Sequence, residues 1–198
     1  TSTNSSIGLI YALKKIFKVD IITNMNCLFL GYSEKKTCLI KFLKNRGLNV
    51  KNKSGNLNKS DLLNNDIYFS FGYKQILPKN ILKFAKRPII NLHMSYLPYN
   101  RGAHPNFWSF VNKTPSGVSI HEIDGGIDTG PIIYQKKFKF DYKRNKNLTF
   151  KFTYNSLFKE LEKLFKKKIN FLISQKYMSK KQKKIYPLNK KIDLPNNF

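Results

Sequence analysis

Short apolar runs that read as buried strands alternate along this chain with amphipathic stretches that read as helices, and that alternation leaves few folds open. Residues 26–32 form an apolar run ending in a glycine turn, residues 37–45 have helical amphipathicity, and Gly47 closes that helix before a short strand at 48–51. The crossover of such a β-α-β opening is expected to be right-handed. Residues 51–59 are polar and rich in Gly, Asn and Ser, so a surface loop is predicted there. A strand at 66–71, a short helix at 78–85 with Pro78 in its first turn, and a strand at 87–93 follow. Past a Pro/Gly loop, 105–112 reads as helix, 117–123 and 131–140 as strands, and 149–174 as a long helix with apolar residues at helical period. The pattern predicts an α/β fold: an open, mostly parallel sheet with helices on both faces. A chain of 198 residues suits one such domain. We expect an N-terminal extension over 1–24 (an amphipathic helix, then a short strand at 19–22), the domain over 25–175, and a basic, irregular C-terminal tail over 176–198.

The residues that carry chemistry cluster around N-L-H-M-S-Y-L-P-Y-N-R-G, from Asn91 to Gly102, and D-G-G-I-D-T-G-P, which contains Asp128. Asn91 and His93 are two apart near the end of a predicted strand, so their side chains share a face. In open α/β sheets, ligands lie beyond the carboxyl ends of the strands. A carboxamide, an imidazole and a carboxylate brought together there can stabilise an oxyanion and move a proton. The set fits acyl transfer to an amine better than metal or phosphate chemistry. In this reading Asn91 donates to the oxygen of a tetrahedral intermediate. His93 donates too, kept protonated by the neighbouring charge of Asp128. Asp128, or a water it holds, takes the proton of the attacking nitrogen. Taken singly, each residue has a plainer role: Asn as a cap, His as a structural residue, Asp for its turn chemistry. The combination is what points to a site.

The formal net charge of +26 suggests a nucleic-acid binder at first. However, Arg46, Arg87, Arg101 and Arg144 are the only arginines, and the remaining positive charge is lysine spread from end to end. Phosphate and base recognition favour the bidentate fork of Arg, whereas a chain rich in Lys, Asn, Ile and Phe is what an AT-rich genome encodes. The sequence therefore argues against a nucleic-acid partner, while the charge should still attract anionic substrates. Cys27 and Cys38, the only cysteines, form neither a disulfide framework nor a zinc site; no metal is expected, and a reducing cytoplasm is. The apolar segment 7–22 is interrupted by Lys14, Lys15 and Lys18. It is too short and too charged for a membrane span, and it makes a poor signal peptide.

The region 71–134 resembles the folate-dependent formyltransferase family. The likeness is carried by F-G-Y-K-Q-I-L-P-K-N-I-L from Phe71, N-L-H-M-S-Y-L-P-Y-N-R-G from Asn91, and S-G-V-S-I-H-E-I-D-G-G-I-D-T-G-P-I-I from Ser116. It is fainter over 26–46, slight after Asp141, and absent over 1–24. The resemblance implies a Rossmann-like formyltransferase fold and 10-formyltetrahydrofolate as formyl donor. It also implies Asn91, His93 and Asp128 as the catalytic residues. The pterin is implied near Tyr73, Ile76, Leu77 and Leu97 and along the loop of Ile123, Asp124, Gly125 and Gly126. The two glycines allow a backbone to approach a flat heterocycle, and Ile76, Leu77 and Leu97 supply apolar walls. Arg101, Gly102 and His104 are candidate acceptor contacts, although His104 and His121 also suit structural roles, and Trp108 reads as core. The turn G-Y-S-E-K-K-T from Gly31 has one glycine and an acid, a poor phosphate nest. The stretch after Asp141 is expected to be too short for the tRNA-binding domain of methionyl-tRNA formyltransferases. The small sugar-type enzymes match best, which implies a primary amine on a nucleotide-linked sugar as the acceptor. A methionyl-tRNA formyltransferase-like enzyme, and a non-catalytic basic RNA-binding protein on the same fold, remain as alternatives. A homodimer is compatible with all three.

Overall fold

The computed structural model describes residues 24–141 and 148–194; the helix and strand expected before residue 24 lie outside them. Elements alternate through β1 (Asn26–Gly31), α1 (Leu39–Lys44), β2 (Asn49–Lys53), α2 (Lys59–Leu63), β3 (Ile67–Phe71), α3 (Lys79–Leu82) and β4 (Ile90–His93). The chain continues through β5 (Arg101–Gly102), α4 (Pro105–Val111), β6 (Gly117–Glu122), β7 (Ile132–Lys137), α5 (Phe150–Ile173) and β8 (Leu188–Asn189). Six strands form one sheet in the order β2-β1-β3-β4-β6-β7. The first four run parallel, and β6 and β7 are antiparallel additions. The predicted α/β architecture is the one observed.

Burial explains the strand sequences. β1 lies between β2 and β3 and is covered on both faces, so it reads as a nearly continuous apolar run. Cys27 and Phe29 join the core formed with Leu39, Ile40 and Leu43 of α1 and with Leu157, Leu161 and Phe165 of α5. Leu28 and Leu30 join Leu62 of α2, Tyr68, Leu77 and Ile89 in a second core. The long helix α5 buries Leu157, Leu161, Phe165, Ile169 and Leu172, a stripe at three- and four-residue spacing. Its N-terminus is capped by the Thr149 hydroxyl, which accepts the Phe152 N–H at 3.1 Å. Edge-on contact between Phe165 and Phe69, with ring centroids 4.9 Å apart, locks the helix to β3.

Two local features depart from the sequence reading. The polar loop ends in the short helix α2, where the Asn58 side chain accepts the Asp61 N–H and the Asp61 carboxylate accepts the Asn58 N–H. Asp61 is buried and ion-paired with Lys51 and Lys53 of β2. The C-terminal stretch keeps its irregular backbone but is docked on the domain. Lys180 and Ile132 exchange main-chain hydrogen bonds of 2.8 Å, and β8 pairs in parallel with β5. Main-chain pairing of this kind leaves little trace in a lysine-rich sequence.

Phe165 is fully buried between α5 and the sheet. Phe165→Ala should therefore cost about 3–5 kcal/mol of unfolding free energy in urea titrations. A loss below about 1 kcal/mol would mean that this face is not packed as described.

Candidate functional site

β4 delivers the first two groups. Asn91 and His93 project from the same face of the strand, and the antiparallel register places His121 of β6 directly opposite Asn91. After β4 the chain turns through Asn100 (φ 53°) to β5. After β6 it loops back so that Asp128, also left-handed at φ 53°, points at the end of β4. Two constraints shape that loop. The Asp124 carboxylate accepts the Gly126 N–H at 3.0 Å and the Thr129 hydroxyl at 2.6 Å. A side chain at Gly130 would stand 1.8 Å from the Glu122 carbonyl oxygen, which only glycine avoids.

The result is a compact polar cluster. Asp128 Oδ2 accepts the Gly102 N–H at 2.9 Å, and Oδ1 accepts from the Asn91 amide at 3.3 Å. The same Oδ1 lies 3.6 Å from His93 Nδ1 and 3.4 Å from His121 Nε2. His93 Nε2 faces the Asn100 carbonyl at 3.3 Å, which favours the tautomer protonated there. His121 Nδ1 likewise faces the Glu122 carbonyl at 2.8 Å, leaving Nε2 as an acceptor for the Asn91 amide at 3.1 Å.

The cluster opens on a cavity of about 1040 Å³. Tyr73, Ile76, Leu77, Ile123 and Gly126 line one part of it, Gly102 and His104 another. Elsewhere the wall is made by Tyr32, Phe150, Lys151 and Tyr154, and by Asn189, Lys190 and Lys191 of the docked C-terminal stretch.

Burial is the largest influence on His93 and holds its imidazole below the ordinary 6.5. Asp128 pulls the other way without prevailing, while His121 and Arg101 add to the lowering. The expectation of a His93 kept protonated by Asp128 is therefore corrected: desolvation outweighs the pairing. Burial also works against the charge on Asp128, but His93, His121 and the Gly102 N–H together hold its carboxyl well below the usual 3.8.

Four residues from the sequence reading do not face the cavity. Leu97 is buried, its N–H bonded to the Ser119 hydroxyl and its carbonyl to the Gln135 amide, so it serves the β6–β7 side of the core. Arg101 spends its guanidinium on main-chain carbonyls, with two donors to Ile127 and one to Tyr186. Asp124 is taken up by its own turn. Gly125 sits at φ +91° against Lys79, a backbone conformation that by itself favours glycine there. Trp108 is half-buried instead of central to the core. His121 was assigned a structural role by sequence, yet it stands inside the cluster. Strand alternation held the signal: Val118 and Ile120 face the core, which sets Ser119 and His121 on the other side with Asn91. Among the described residues, no group of three or more His, Cys, Asp or Glu side chains is arranged to hold a metal ion. No helix among them is long and apolar enough to cross a membrane.

Residues 18–152 match the family model described as formyl transferase. The formyltransferase PseJ of Anoxybacillus kamchatkensis, solved with UDP-4,6-dideoxy-4-formamido-L-AltNAc and tetrahydrofolate, is 37% identical. That likeness covers 85% of this chain and 87% of PseJ, with a TM-score of 0.78. The bifunctional polymyxin resistance protein ArnA of Wigglesworthia glossinidia brevipalpis is 38% identical over 133 residues, 65% of this chain and 20% of ArnA. A methionyl-tRNA formyltransferase of Thermodesulfovibrio yellowstonii is 41% identical over 90 residues, 45% of this chain and 29% of that enzyme. The chain thus spans less than a third of the length of these two curated relatives.

The lowered His93 pKa fixes a pH dependence. On acidification the unfolded chain takes up a proton at this residue before the folded protein does. The stability it contributes is complete above about pH 6.5 and is lost as pH falls toward the folded value. Urea midpoints should therefore rise with pH in the window just below 6.5. His93→Gln should flatten part of that slope. The remainder belongs to His104, which burial and Lys191 also hold low. An unchanged slope in His93→Gln would mean that the imidazole is charged in the folded protein.

Proposed function

Because the chain belongs to the formyl transferase family, we propose that it moves a formyl group from 10-formyltetrahydrofolate to a primary amine on a nucleotide-linked sugar. The observation that carries this reading is the convergence of Asn91, His93 and Asp128 within hydrogen-bonding or near-contact range at the wall of one large cavity.

The amine nitrogen attacks the formyl carbon and forms a C–N bond while the carbonyl oxygen takes the negative charge. The two acceptors of the Asn91 amide lie only 3.4 Å apart, near enough to share one N–H in a three-centre bond. The second N–H is then free for the oxyanion. The attacking nitrogen must lose one proton, and N10 of the leaving tetrahydrofolate must gain one. A single group that accepts and returns a proton balances the step. A neutral His93 suits that role better than a permanently charged one. Its Nδ1 lone pair faces the Asp128 carboxylate at 3.6 Å, an arrangement that becomes attractive once a proton arrives. Asp128 stabilises the imidazolium as it forms and does not itself change protonation.

The pterin is assigned to the wall of Tyr73, Ile76, Leu77, Ile123 and Gly126, where apolar side chains and exposed loop backbone lie together. The acceptor is assigned to the remaining walls, where Tyr32 and Tyr154 offer ring faces and Lys151, Lys190 and Lys191 offer charge suited to a diphosphate. PseJ, covered over most of its length, was solved with a UDP-sugar, which favours this class of acceptor. Methionyl-tRNA is the second reading, supported by the likeness over 90 residues to an enzyme of that name.

The test is a mass gain of one formyl group on UDP-4-amino-4,6-dideoxy-L-AltNAc, with methionyl-tRNA assayed in parallel. Formylation of the tRNA alone would overturn the sugar reading, and formylation of neither would overturn the assigned class of acceptor. With the accepted amine, His93→Asn should lower kcat by about 10²–10⁴-fold and leave folate affinity nearly unchanged. Asp128→Asn should lose a comparable factor, and the double variant should lose little more. Near-normal kcat in His93→Asn would remove His93 from the proton path.

A further inference from the structure

The docked C-terminal stretch is laced to the catalytic loop at consecutive points. Lys180 bonds Ile132, and the Tyr186 carbonyl accepts an Arg101 N–H at 2.8 Å. The Asn189 carbonyl accepts the Ala103 N–H at 2.9 Å beside the β5–β8 pair. Between these points, the Gln182 carboxamide donates from Nε2 to the carbonyls of both Asp128 and Gly130, each at 2.9 Å. Its own Oε1 is buried without a hydrogen-bond partner among the described residues. Leaving a buried acceptor unpaired costs free energy, so this side chain is kept for its N–H donors.

What those donors hold is a strained piece of backbone. Asp128 has φ 53°, a left-handed conformation that a residue with a side chain keeps only where its surroundings over-determine it. On the side chain, the Gly102 N–H and the Asn91 amide both donate to the Asp128 carboxylate. Gln182 supplies a restraint on the main chain, by tying together the carbonyls of Asp128 and Gly130 on either side of Thr129.

We propose that Gln182 is a positioning residue for formyl transfer: it clamps the Asp128–Gly130 turn and so aims the Asp128 carboxylate at Asn91, His93 and His121. This rests on the reading of Asp128 given above. Charged and titratable groups near the clamp are Asp128, with His93 and His121 at its carboxylate, Arg101 on the Ile127 carbonyl, and Lys181 and Lys183 beside Gln182 in the chain.

Two variants test the clamp in the full chain. Gln182→Met keeps the length of the side chain and removes both donors. Gln182→Glu removes them while ionised and returns one when protonated, at a pH that burial raises. Both should lower kcat by about tenfold to a hundredfold near neutral pH. KM for folate and for the amine should change by less than about threefold. The rate of Gln182→Glu relative to wild type should climb as pH falls, while that of Gln182→Met stays flat. If Gln182→Met does not fold, the climbing ratio in Gln182→Glu decides alone. Independently of any acceptor, the backbone carbon shifts of Asp128 should leave left-handed values in whichever variant folds.

Wild-type kcat in the variants, a loss confined to KM, a flat ratio in Gln182→Glu, or unmoved Asp128 shifts would each overturn the proposal. Asp128→Asn measured alongside separates the two readings. If it keeps full rate, the assignment of Asp128 itself fails. If it is inactive while the Gln182 variants run normally, only the clamp fails.

Discussion

The arrangement of this site depends on one buried carboxylate. Moving a charge out of water costs several kcal/mol unless hydrogen bonds and opposite charge replace its hydration. Asp128 is given a main-chain N–H from β5, an amide from β4 and imidazoles from β4 and β6. The two donors come from β5 and β4 and the two rings from β4 and β6. The cluster around the carboxylate is therefore complete only when the sheet, the loop after β4 and the loop after β6 are all in register. The left-handed backbone at Asp128 and the tight approach of Gly130 to Glu122 follow from the need to bring that loop back onto the sheet.

The same cluster decides the protonation of His93, with desolvation outweighing the pull of Asp128. A unit charge pair at about 4 Å is worth about 4 kcal/mol at an effective dielectric of about 20. Desolvating the imidazolium is the larger influence, and His121 and Arg101 add to it. A neutral imidazole beside a carboxylate is able to take up a proton and give it back.

The large positive charge plays a quieter part. Several lysines lie along aromatic faces, as Lys168 does over Tyr134 and Lys184 over Tyr186, and others pair with single acids, as Lys86 does with Asp66. These are the contacts of a lysine-rich surface. Four others, Lys74, Lys151, Lys190 and Lys191, stand at the cavity wall, where their charge faces whatever the cavity admits.

Period and punctuation in the sequence set the alternating elements, the two-sided burial of β1, the apolar stripe of α5 and the shared face of Asn91 and His93. These are local properties, because side-chain direction repeats every two residues in a strand and every 3.6 in a helix. His121 was legible in the same alternation, but it became a partner of Asn91 only through the register of β6 on β4. The balance at His93 was not legible, since desolvation depends on everything packed around a ring. Nor was the use of Arg101 and Gln182 on main-chain carbonyls from distant segments. The sequence by itself determined the α/β sheet and the shared face of Asn91 and His93 at the end of one of its strands. Only the tertiary structure decided the protonation of His93, and only it turned a basic tail into a wall of the site, because both depend on contacts between residues far apart in the chain.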